Sequence, residues 1–432
     1  MEPILLIISF VAFAFILISY SFEKIDFVSV SIVSSFICAT IVGLATQTGI
    51  EGFIGFIEFD AILVILSMSI ITQIAMESNI LEFIAVKLFK ISGGDQRIFF
   101  YLLCIITTLL AAIITDLVVV LILAPITIRL CRFLKIRAGT YLLGMTICIN
   151  IGSIITPFSS GENIIISDAF KLDTLYFISN YWIFSFLLLF LTIFLIDRFL
   201  LSKEPMIEIK QKKYVLDLVD ASVMIKNKKM FYANSIAIII TILLFAILPL
   251  LYLTATLAAF ILVLINKRFT KKKAGTLLRD IEWEIVFFFL SLYIMIGCLT
   301  LSGFEELIQL IPFNALNPVL LSLVILIAVS LISGLVANTP TALVFIPIIR
   351  TLIDANLVSS IPILFAFIIG INLGGNLIPQ GAACDVMTLK IAQDNGVENL
   401  NYKRLLKVGA TFAVIHIFFS IGYLFLLNLI YP

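Results

Sequence analysis

Three acidic side chains interrupt otherwise apolar segments of this 432-residue chain, at Asp116, Glu162 and Asp385. A carboxylate is costly in an apolar environment, and inside a membrane it usually marks a cation site or a proton carrier. We therefore expect these three residues to bind a coupling cation, H⁺ or Na⁺. No metal cofactor is predicted, because the cysteines lack ligand spacing and His416 is the single histidine.

Two segments combine these acids with helix breakers, at Gly152 to Pro157 and at Gly374 to Pro379. Proline removes a helical hydrogen bond and glycine loosens the chain, so backbone carbonyls are freed. In hydrocarbon such breaks persist only around a cavity or inside protein. The predicted ligands in these two segments are Asn150, Gly152, Ser153, Thr156, Glu162, Asn163, Asn372, Gly374, Asn376 and Asp385.

Two further polar positions lie between paired apolar segments. Asp116 begins the second segment of one pair, where an acidic side chain favours a helix start. In the other pair Thr339 is the expected N-cap, with Pro340 at the first helical position. Substrate or ion contacts are predicted for Thr115, Asp116, Asn338, Thr339 and Thr341. A coupling Na⁺ is expected near Asp116, Asn150, Asn338 and Asn372.

The composition assigns most of the chain to a lipid environment. Hydrophobic residues make up 62% and charged residues 13%, against about 45–50% and about 25% in soluble domains. The net charge of +1 gives no indication of a nucleic-acid partner. No nucleophile–base pair is apparent, so an enzyme is not expected.

Ten apolar segments are long enough to be membrane spans, which need roughly 20 residues. Two other pairs, 98–131 and 319–353, are interpreted as re-entrant helical hairpins, because the charges flanking each pair place its two ends on one side. The predicted spans are 3–22, 27–48, 59–77, 138–156, 178–200, 232–250, 253–266, 282–302, 361–379 and 408–431. The span at 253–266 is short, and 79–90 and 303–311 are interpreted as interfacial connectors.

Basic residues determine the predicted orientation. They concentrate near 87–97, 129–137, 201–230 and 267–279, and positive loops face the cytoplasm. Both termini are then outside. The N-terminal segment lacks signal-peptide features and is interpreted as a retained first span. The predicted location is a plasma or inner membrane.

The two halves of the sequence match at a constant offset of 222 residues (372 − 150 and 379 − 157). An odd number of spans per half inverts the second half relative to the first. The sequence therefore predicts an all-α membrane protein of two inverted repeats, each with five spans and one hairpin. The predicted units are a first repeat at 1–200 with its broken helix at 138–170, a basic linker at 201–230, and a second repeat at 231–432 with its broken helix at 361–393.

The paired hairpins and paired Asn-x-Gly…Pro interruptions, with Asn163-Ile164-Ile165-Ile166 after the first, resemble the ion-transporter superfamily. It includes arsenite permeases, NhaD-type sodium–proton antiporters and divalent-anion:sodium symporters with citrate-transporter-like domains. The dicarboxylate carriers have Ser-Asn-Thr at each tip, which Asn338-Thr339 matches in part. Asp116 departs from that pattern and is similar to the acidic tip of arsenite permeases. The resemblance implies an elevator-like motion and often a homodimer.

The leading hypothesis is an ion-coupled secondary transporter of a small anion or its protonated form, such as an arsenite-like oxyanion or a carboxylate. The alternative is a sodium–proton antiporter, supported by the surplus of carboxylates over basic residues at the tips. A channel is less favoured, because two symmetric broken helices suit alternating access. The partners expected are the lipid bilayer and a small ion.

Overall fold

The computed structural model describes residues 3–20, 25–205, 220–248, 250–271, 274–279, 281, 283–355 and 359–431. The described residues form helices joined by short turns. Part of the predicted basic linker, residues 206–219, lies outside the described residues.

Among the described residues of the first half there are ten α-helices, four of which are shorter than the sixteen residues of α6. Their bounds are α1 Pro3–Tyr20, α2 Phe27–Thr46, α3 Ile50–Ile54, α4 Phe59–Glu77, α5 Ile80–Ile91, α6 Gln96–Ala111, α7 Asp116–Leu134, α8 Gly139–Gly152, α9 Gly161–Ala169 and α10 Thr174–Phe199.

The second half repeats this order of long and short helices. The bounds are α11 Lys228–Ile247, α12 Leu251–Thr270, α13 Ala274–Arg279, α14 Trp283–Leu301, α15 Phe304–Gln309, α16 Pro318–Val336, α17 Asn338–Asp354, α18 Ser360–Gly374, α19 Ala383–Asp394 and α20 Tyr402–Ile430.

Ten helices among the described residues are long and apolar enough to cross a membrane, which confirms the prediction of an all-α polytopic membrane protein. These ten include α7 and α16, which the sequence assigns to hairpins, whereas α8 is shorter than the predicted span at 138–156. The expectation of a short span at 253–266 was wrong, because α12 has 20 residues. The charged residues near its end, including Lys267, are not typical of a membrane span, so the predicted span ended one turn too early.

Polar residues in the turns start many of the helices. Asp95 accepts hydrogen bonds from the first backbone N–H groups of α6, and Asp173 and Asn317 do the same for α10 and α16. Such caps satisfy N–H groups that have no partner within the helix. They fix where the apolar segments begin.

The first predicted hairpin consists of α6 and α7, which pack against each other. The hydroxyl of Tyr141, at the start of α8, donates to the carbonyl of Gln96, at the start of α6, at 3.2 Å. Since α7 ends only four residues before α8, the start of α6 and the end of α7 lie on one face. An antiparallel helix pair gives this arrangement whether it is re-entrant or crosses the membrane, so the re-entrant hairpin stays a prediction.

Each hairpin packs closely on the broken helix that follows it. A Cβ on Gly152 would overlap the carbonyl oxygen of Thr108, and a Cβ on Gly374 would overlap the backbone of Ser330. Both pairs are related by the offset of 222 residues (374 − 152 and 330 − 108). Glycine is needed at these two positions because the backbones approach within the space of a side chain.

The two halves also exchange contacts. The second hairpin arm α7 packs against α19 of the other half, and α17 packs against α9. The turns before α9 and α19 therefore lie beside hairpin tips, where polar residues from both halves meet.

Candidate functional site

The first group of polar side chains, named here the Glu162 half-site, consists of Glu162, Asn163, Asn338 and Asn372. Asn338 Nδ2 donates to Glu162 Oε1 at 3.1 Å, and Asn372 Nδ2 donates to Asn163 Oδ1 at 3.1 Å. All four residues are buried. The half-site thus joins the start of α9 in one half to the hairpin tip and broken helix of the other.

The interruption between α8 and α9 is held by side chains that bind its freed carbonyls. Asn163 Nδ2 donates to the carbonyls of Ser153 and Thr156, at 2.5 and 3.2 Å. Ser159 Oγ donates to the same two carbonyls, at 2.5 and 2.8 Å. These carbonyls are therefore fixed in the turn and point toward Asn163 and Ser159.

The second group, named here the Asp385 half-site, consists of Asp385, Cys384, Asn150 and Thr146. Thr146 Oγ1 donates to Asp385 Oδ1 at 2.5 Å, and Cys384 Sγ donates to Asn150 Oδ1 at 3.2 Å. Asn150 Nδ2 in turn donates to Asn376 Oδ1 at 2.8 Å. Here the start of α19 meets the broken helix of the first half, which mirrors the Glu162 half-site.

The tip residue Asp116 lies at the first position of α7 and is partly buried. Its Oδ1 accepts a hydrogen bond from the N–H of Leu117 at 2.8 Å. Asp116 and Glu162 both lie near enough to Cys384 to interact electrostatically with its thiol. The three predicted carboxylates therefore belong to one neighbourhood rather than to separate sites.

Two buried amide atoms in this neighbourhood have no hydrogen-bond partner among the described residues. They are the acceptor Asn372 Oδ1 and the donor Asn376 Nδ2, in side chains that are each 1% exposed. A buried polar atom without a partner costs about 1–3 kcal/mol. This unpaired acceptor and unpaired donor are available to bind an ion, a polar substrate group or water.

The second hairpin tip differs from the expectation. The N-cap of α17 is Ala337, and the helix begins at Asn338, so Thr339 is not the N-cap and Pro340 is not at the first position. Ala337 has φ +113° and ψ 158°, a backbone conformation that residues with a side chain rarely adopt. The reason is that Asn338 turns its side chain toward Glu162, which moves the helix start back by two residues.

Four of the predicted site residues contact backbone carbonyls or a neighbouring helix instead of another site residue. Thr341 Oγ1 donates to the carbonyl of Ala337, and Thr156 Oγ1 donates to that of Ala112. Gly152 and Gly374 face the hairpin arms, as described above. Thr115 precedes α7 without a side-chain capping bond, and Thr339 Oγ1 lies beside Gly161, 3.6 Å from where a Cβ there would be.

Sequence reasoning missed three residues that contact these groups. Ser333 Oγ donates to Asn338 Oδ1 at 2.7 Å and to the carbonyl of Ile371 at 2.8 Å. Thr146 and Cys384 contact the Asp385 half-site as described above. Cys384 was interpreted as an apolar core residue, although its place beside Asp385 was a signal. Thr146 lies one helical turn before Asn150, and that spacing was its only signal.

A cavity of about 730 Å³ opens beside the Glu162 half-site. Its lining includes Ile165 and Leu343, which lie within about one to two turns of Glu162 and Asn338 on α9 and α17. Farther out it is lined by Glu58 and Arg350. We name the side on which this cavity opens the Glu58 face.

A second cavity, of about 420 Å³, lies at the end of α7, where the lining includes Ile128 and Arg132. Ile128 is twelve residues beyond Asp116, or about 18 Å along a helix. Of these two cavities, the one at the Glu58 face is lined by residues nearer in the sequence to the half-site residues.

The sequence is similar to a known protein family and to several membrane proteins. A family profile described as "Citrate transporter" matches residues 4–370. A 46 kDa membrane protein of Mycobacterium leprae is 24% identical, over 87% of this chain and 87% of that protein. An uncharacterized transporter of Mycobacterium tuberculosis is 23% identical, over 86% of each chain.

Solved structures share the fold at much lower identity. The YdaH transporter of Alcanivorax borkumensis has a TM-score of 0.58 and 12% identity, covering 87% of this chain and 86% of that one. MtrF of Neisseria gonorrhoeae, assigned by its description to a class of antimetabolite efflux pumps, has a TM-score of 0.61 and 10% identity, covering 89% and 83%. These likenesses concern the fold alone.

Proposed function

The chain belongs to the citrate transporter family, and from this membership we propose that it is an ion-coupled secondary transporter of a small anion. The family and the relatives agree on the coarser statement that it is a membrane transporter. The substrate class that we favour is a small organic anion carrying carboxylates. An arsenite-like oxyanion or a protonated form of the substrate is the alternative within the same mechanism.

The observation that supports this proposal most is the pairing of the two half-sites. Each joins an acidic residue at a helix start in one half to amides or hydroxyls of the other half, as at Glu162 with Asn338 and at Asp385 with Thr146. Helices α9 and α19 begin beside the two half-sites, and helix N-terminal ends attract anions. Side-chain and backbone donors could therefore hold a substrate carboxylate there.

The three carboxylates make coupling to a cation a physical requirement of anion transport. Asp116, Glu162 and Asp385 would repel an anionic substrate if all were ionised and unpaired. Uptake of H⁺ or Na⁺ at these carboxylates removes the repulsion. Substrate and cation would then bind together more strongly than either does alone, which is how a symporter couples two gradients.

A sodium–proton antiporter is the second candidate, favoured by one specific observation. Among the described residues, the hydrogen bonds of the two half-sites come from amides, hydroxyls, a thiol and backbone groups, and none comes from lysine, arginine or histidine. Carboxylates without a fixed positive partner can exchange Na⁺ and H⁺ in turn. In that case no organic anion would move.

Flux through purified protein in proteoliposomes tests these alternatives. Labelled citrate, a C4-dicarboxylate and arsenite would be offered in turn, each with an imposed Na⁺ or pH gradient. The proposal expects gradient-dependent accumulation of one anion and loss of that coupling in Asp385→Asn. Asp394→Asn is the matched control, because Asp394 is an exposed residue on the same helix α19.

The outcomes separate the candidates. Sodium-dependent proton movement without any anion flux would favour the antiporter and would contradict anion transport. Full gradient coupling in Asp385→Asn, at equal incorporation into the liposomes, would remove Asp385 from the mechanism.

A further inference from the structure

A pair of carboxyl groups lies at the Glu58 face, away from the two half-sites. Glu58 immediately precedes α4, and Asp168 lies in the last turn of α9. The two carboxyl groups are close enough to interact directly. Asp168 Oδ1 accepts a hydrogen bond from Lys171 Nζ at 2.9 Å, whereas its Oδ2 is buried and has no hydrogen-bond partner among the described residues. A proton on Glu58 would supply a donor to Asp168. When both carboxyl groups are ionised, this buried oxygen has no donor among the described residues.

A buried tyrosine hydroxyl lies near the same two carboxyl groups. Tyr293, on α14, is 3% exposed, and its Oη has no hydrogen-bond partner among the described residues. Its neighbouring charges are Asp168 and Glu58, and it lines the 730 Å³ cavity together with Glu58. A buried phenol without a partner, beside two carboxyl groups, leaves a third oxygen available for a ligand.

We propose that Glu58, Asp168 and Tyr293 form a cation-binding site at the Glu58 face, which takes a small hard cation such as Na⁺, Mg²⁺ or Ca²⁺. Two carboxylate oxygens and a phenol oxygen are hard ligands of the type these ions prefer. The open cavity beside them leaves room for the water molecules that complete the shell. The site is separate from the proposed coupling residues and does not depend on them.

The charged groups around the carboxyl pair are of both signs. Arg350 Nη2 donates to the carbonyl of Ala169 at 2.9 Å, and Lys171 Nζ donates to Asp168 Oδ1. Glu58 and Asp168 interact directly, so the pair is under repulsion when both groups are ionised. A bound cation would remove that repulsion. The charged groups facing the pair are Asp60, Lys171 and Arg350.

Thermal unfolding of the full-length protein in detergent tests this site. Unfolding temperatures would be measured at neutral pH in titrations of NaCl, MgCl₂ and CaCl₂, with choline chloride keeping the ionic strength constant. A cation that binds the folded state raises the unfolding temperature by mass action. We expect at least one of the three salts to do so, and the concentration series distinguishes monovalent from divalent ions.

Variants locate the effect. Glu58→Gln removes one ligand and Tyr293→Phe removes only a hydroxyl, and we expect each to weaken the apparent affinity about tenfold or more. Glu305→Gln is the control, because Glu305 is an exposed residue lining the same cavity. Asp385→Asn should abolish coupled transport if the proposed function is correct and should leave this cation response unchanged.

Three results would overturn the site. In the first, no salt would stabilise the protein beyond choline chloride. In the second, the wild type and Glu58→Gln would respond equally while Asp385→Asn lost the response, which would place the ion in the Asp385 half-site. In the third, the stabilisation by salt would be as large at acidic pH as at neutral pH, although protons compete with a metal cation for the two carboxyl groups.

Discussion

The amide of Asn338 donates to the carboxylate of Glu162 at 3.1 Å across the boundary between the two halves of the chain. Asn338 is also oriented by Ser333, whose hydroxyl donates to Asn338 Oδ1 at 2.7 Å. The amide group therefore has its oxygen satisfied and its nitrogen directed at the carboxylate. At the corresponding position of the first half stands Asp116 (338 − 222), so an amide in one tip takes the place of an acid in the other.

Replacing that amide by an acid should make the protein depend on protons. In Asn338→Asp two carboxylates would face each other beside α9, and one must bind a proton or cation for the contact to persist. Losing a hydrogen bond to a charged group costs about 1.5–3 kcal/mol, which is about ten- to a hundredfold in affinity or rate. We expect flux in proteoliposomes to fall by that factor at neutral pH and to recover in part at acidic pH.

Asn338→Ala separates this effect from simple loss of the side chain. It removes the donor without adding an acid, so its flux should stay low at every pH. If Asn338→Asp were equally inactive at acidic pH, the facing-carboxylate explanation would be wrong.

Close backbone packing should make Gly374 intolerant of any side chain. A Cβ there would lie 2.6 Å from Ser330 Cα and would overlap the Ser330 carbonyl. We expect Gly374→Ala to lower the free energy of unfolding by about 1–3 kcal/mol, the usual cost of overpacking. The measurement is thermal unfolding followed by size-exclusion chromatography.

Gly422→Ala provides the comparison, since Gly422 lies in α20 and a Cβ there would meet nothing within 4 Å. Alanine is the better helix former, so this variant should match or exceed the wild type. Equal stability of the two variants would show that the hairpin and the broken helix are not in contact as described.

The sequence predicted the helices and the polar centre well for a physical reason. Membrane spans must be long and apolar, and carboxylates or Asn-x-Gly…Pro segments within them are rare enough to be conspicuous. Asn150, Asn163, Asn372 and Asp385 were found in this way, and the structure places them in the two half-sites. The constant offset of 222 residues then paired each segment of the first half with the corresponding segment of the second half.

The sequence could not predict contacts that depend on three-dimensional packing. Thr146 is an ordinary helix residue in an apolar segment, and only the packing of distant helices brings it to Asp385. Ser333 reaches Asn338 across the tight turn between α16 and α17. The cap of α17 was misplaced for a similar reason. Local preference favoured Thr339, but the contact of Asn338 with Glu162 fixes an earlier start.

The left-handed backbone at the second tip should be relieved by glycine. Ala337 has φ +113°, and such conformations cost about 1–3 kcal/mol in residues with a side chain. Glycine removes this strain, offset by about 0.5–1 kcal/mol for its greater freedom in the unfolded chain. We expect Ala337→Gly to raise the stability by up to about 2.5 kcal/mol and Ala337→Val to lower it, as measured by thermal unfolding.

Ala342→Gly tests whether the gain is specific to the tip. Ala342 is buried within the same helix α17, where glycine should cost about 1 kcal/mol relative to alanine. Stabilisation of both variants, or of neither, would contradict strain at Ala337.

Partial burial of Glu58 and the charge of Asp168 raise the pKa of the Glu58 carboxyl above its ordinary value of 4.5. The folded protein then holds a proton at Glu58 over a pH range in which the unfolded chain has released it. Stability therefore falls as pH rises from about 4.5 through the folded pKa, and this contribution is favourable at the acidic end.

The unfolding temperature of Glu58→Gln should lack this pH-dependent contribution. The difference in unfolding temperature between this variant and the wild type should therefore change with pH in that range and level off above it. The comparison is made in choline chloride, so that no metal cation replaces the proton. A difference between the two proteins that is constant at every pH would mean that Glu58 titrates normally and that Asp168 does not interact with it.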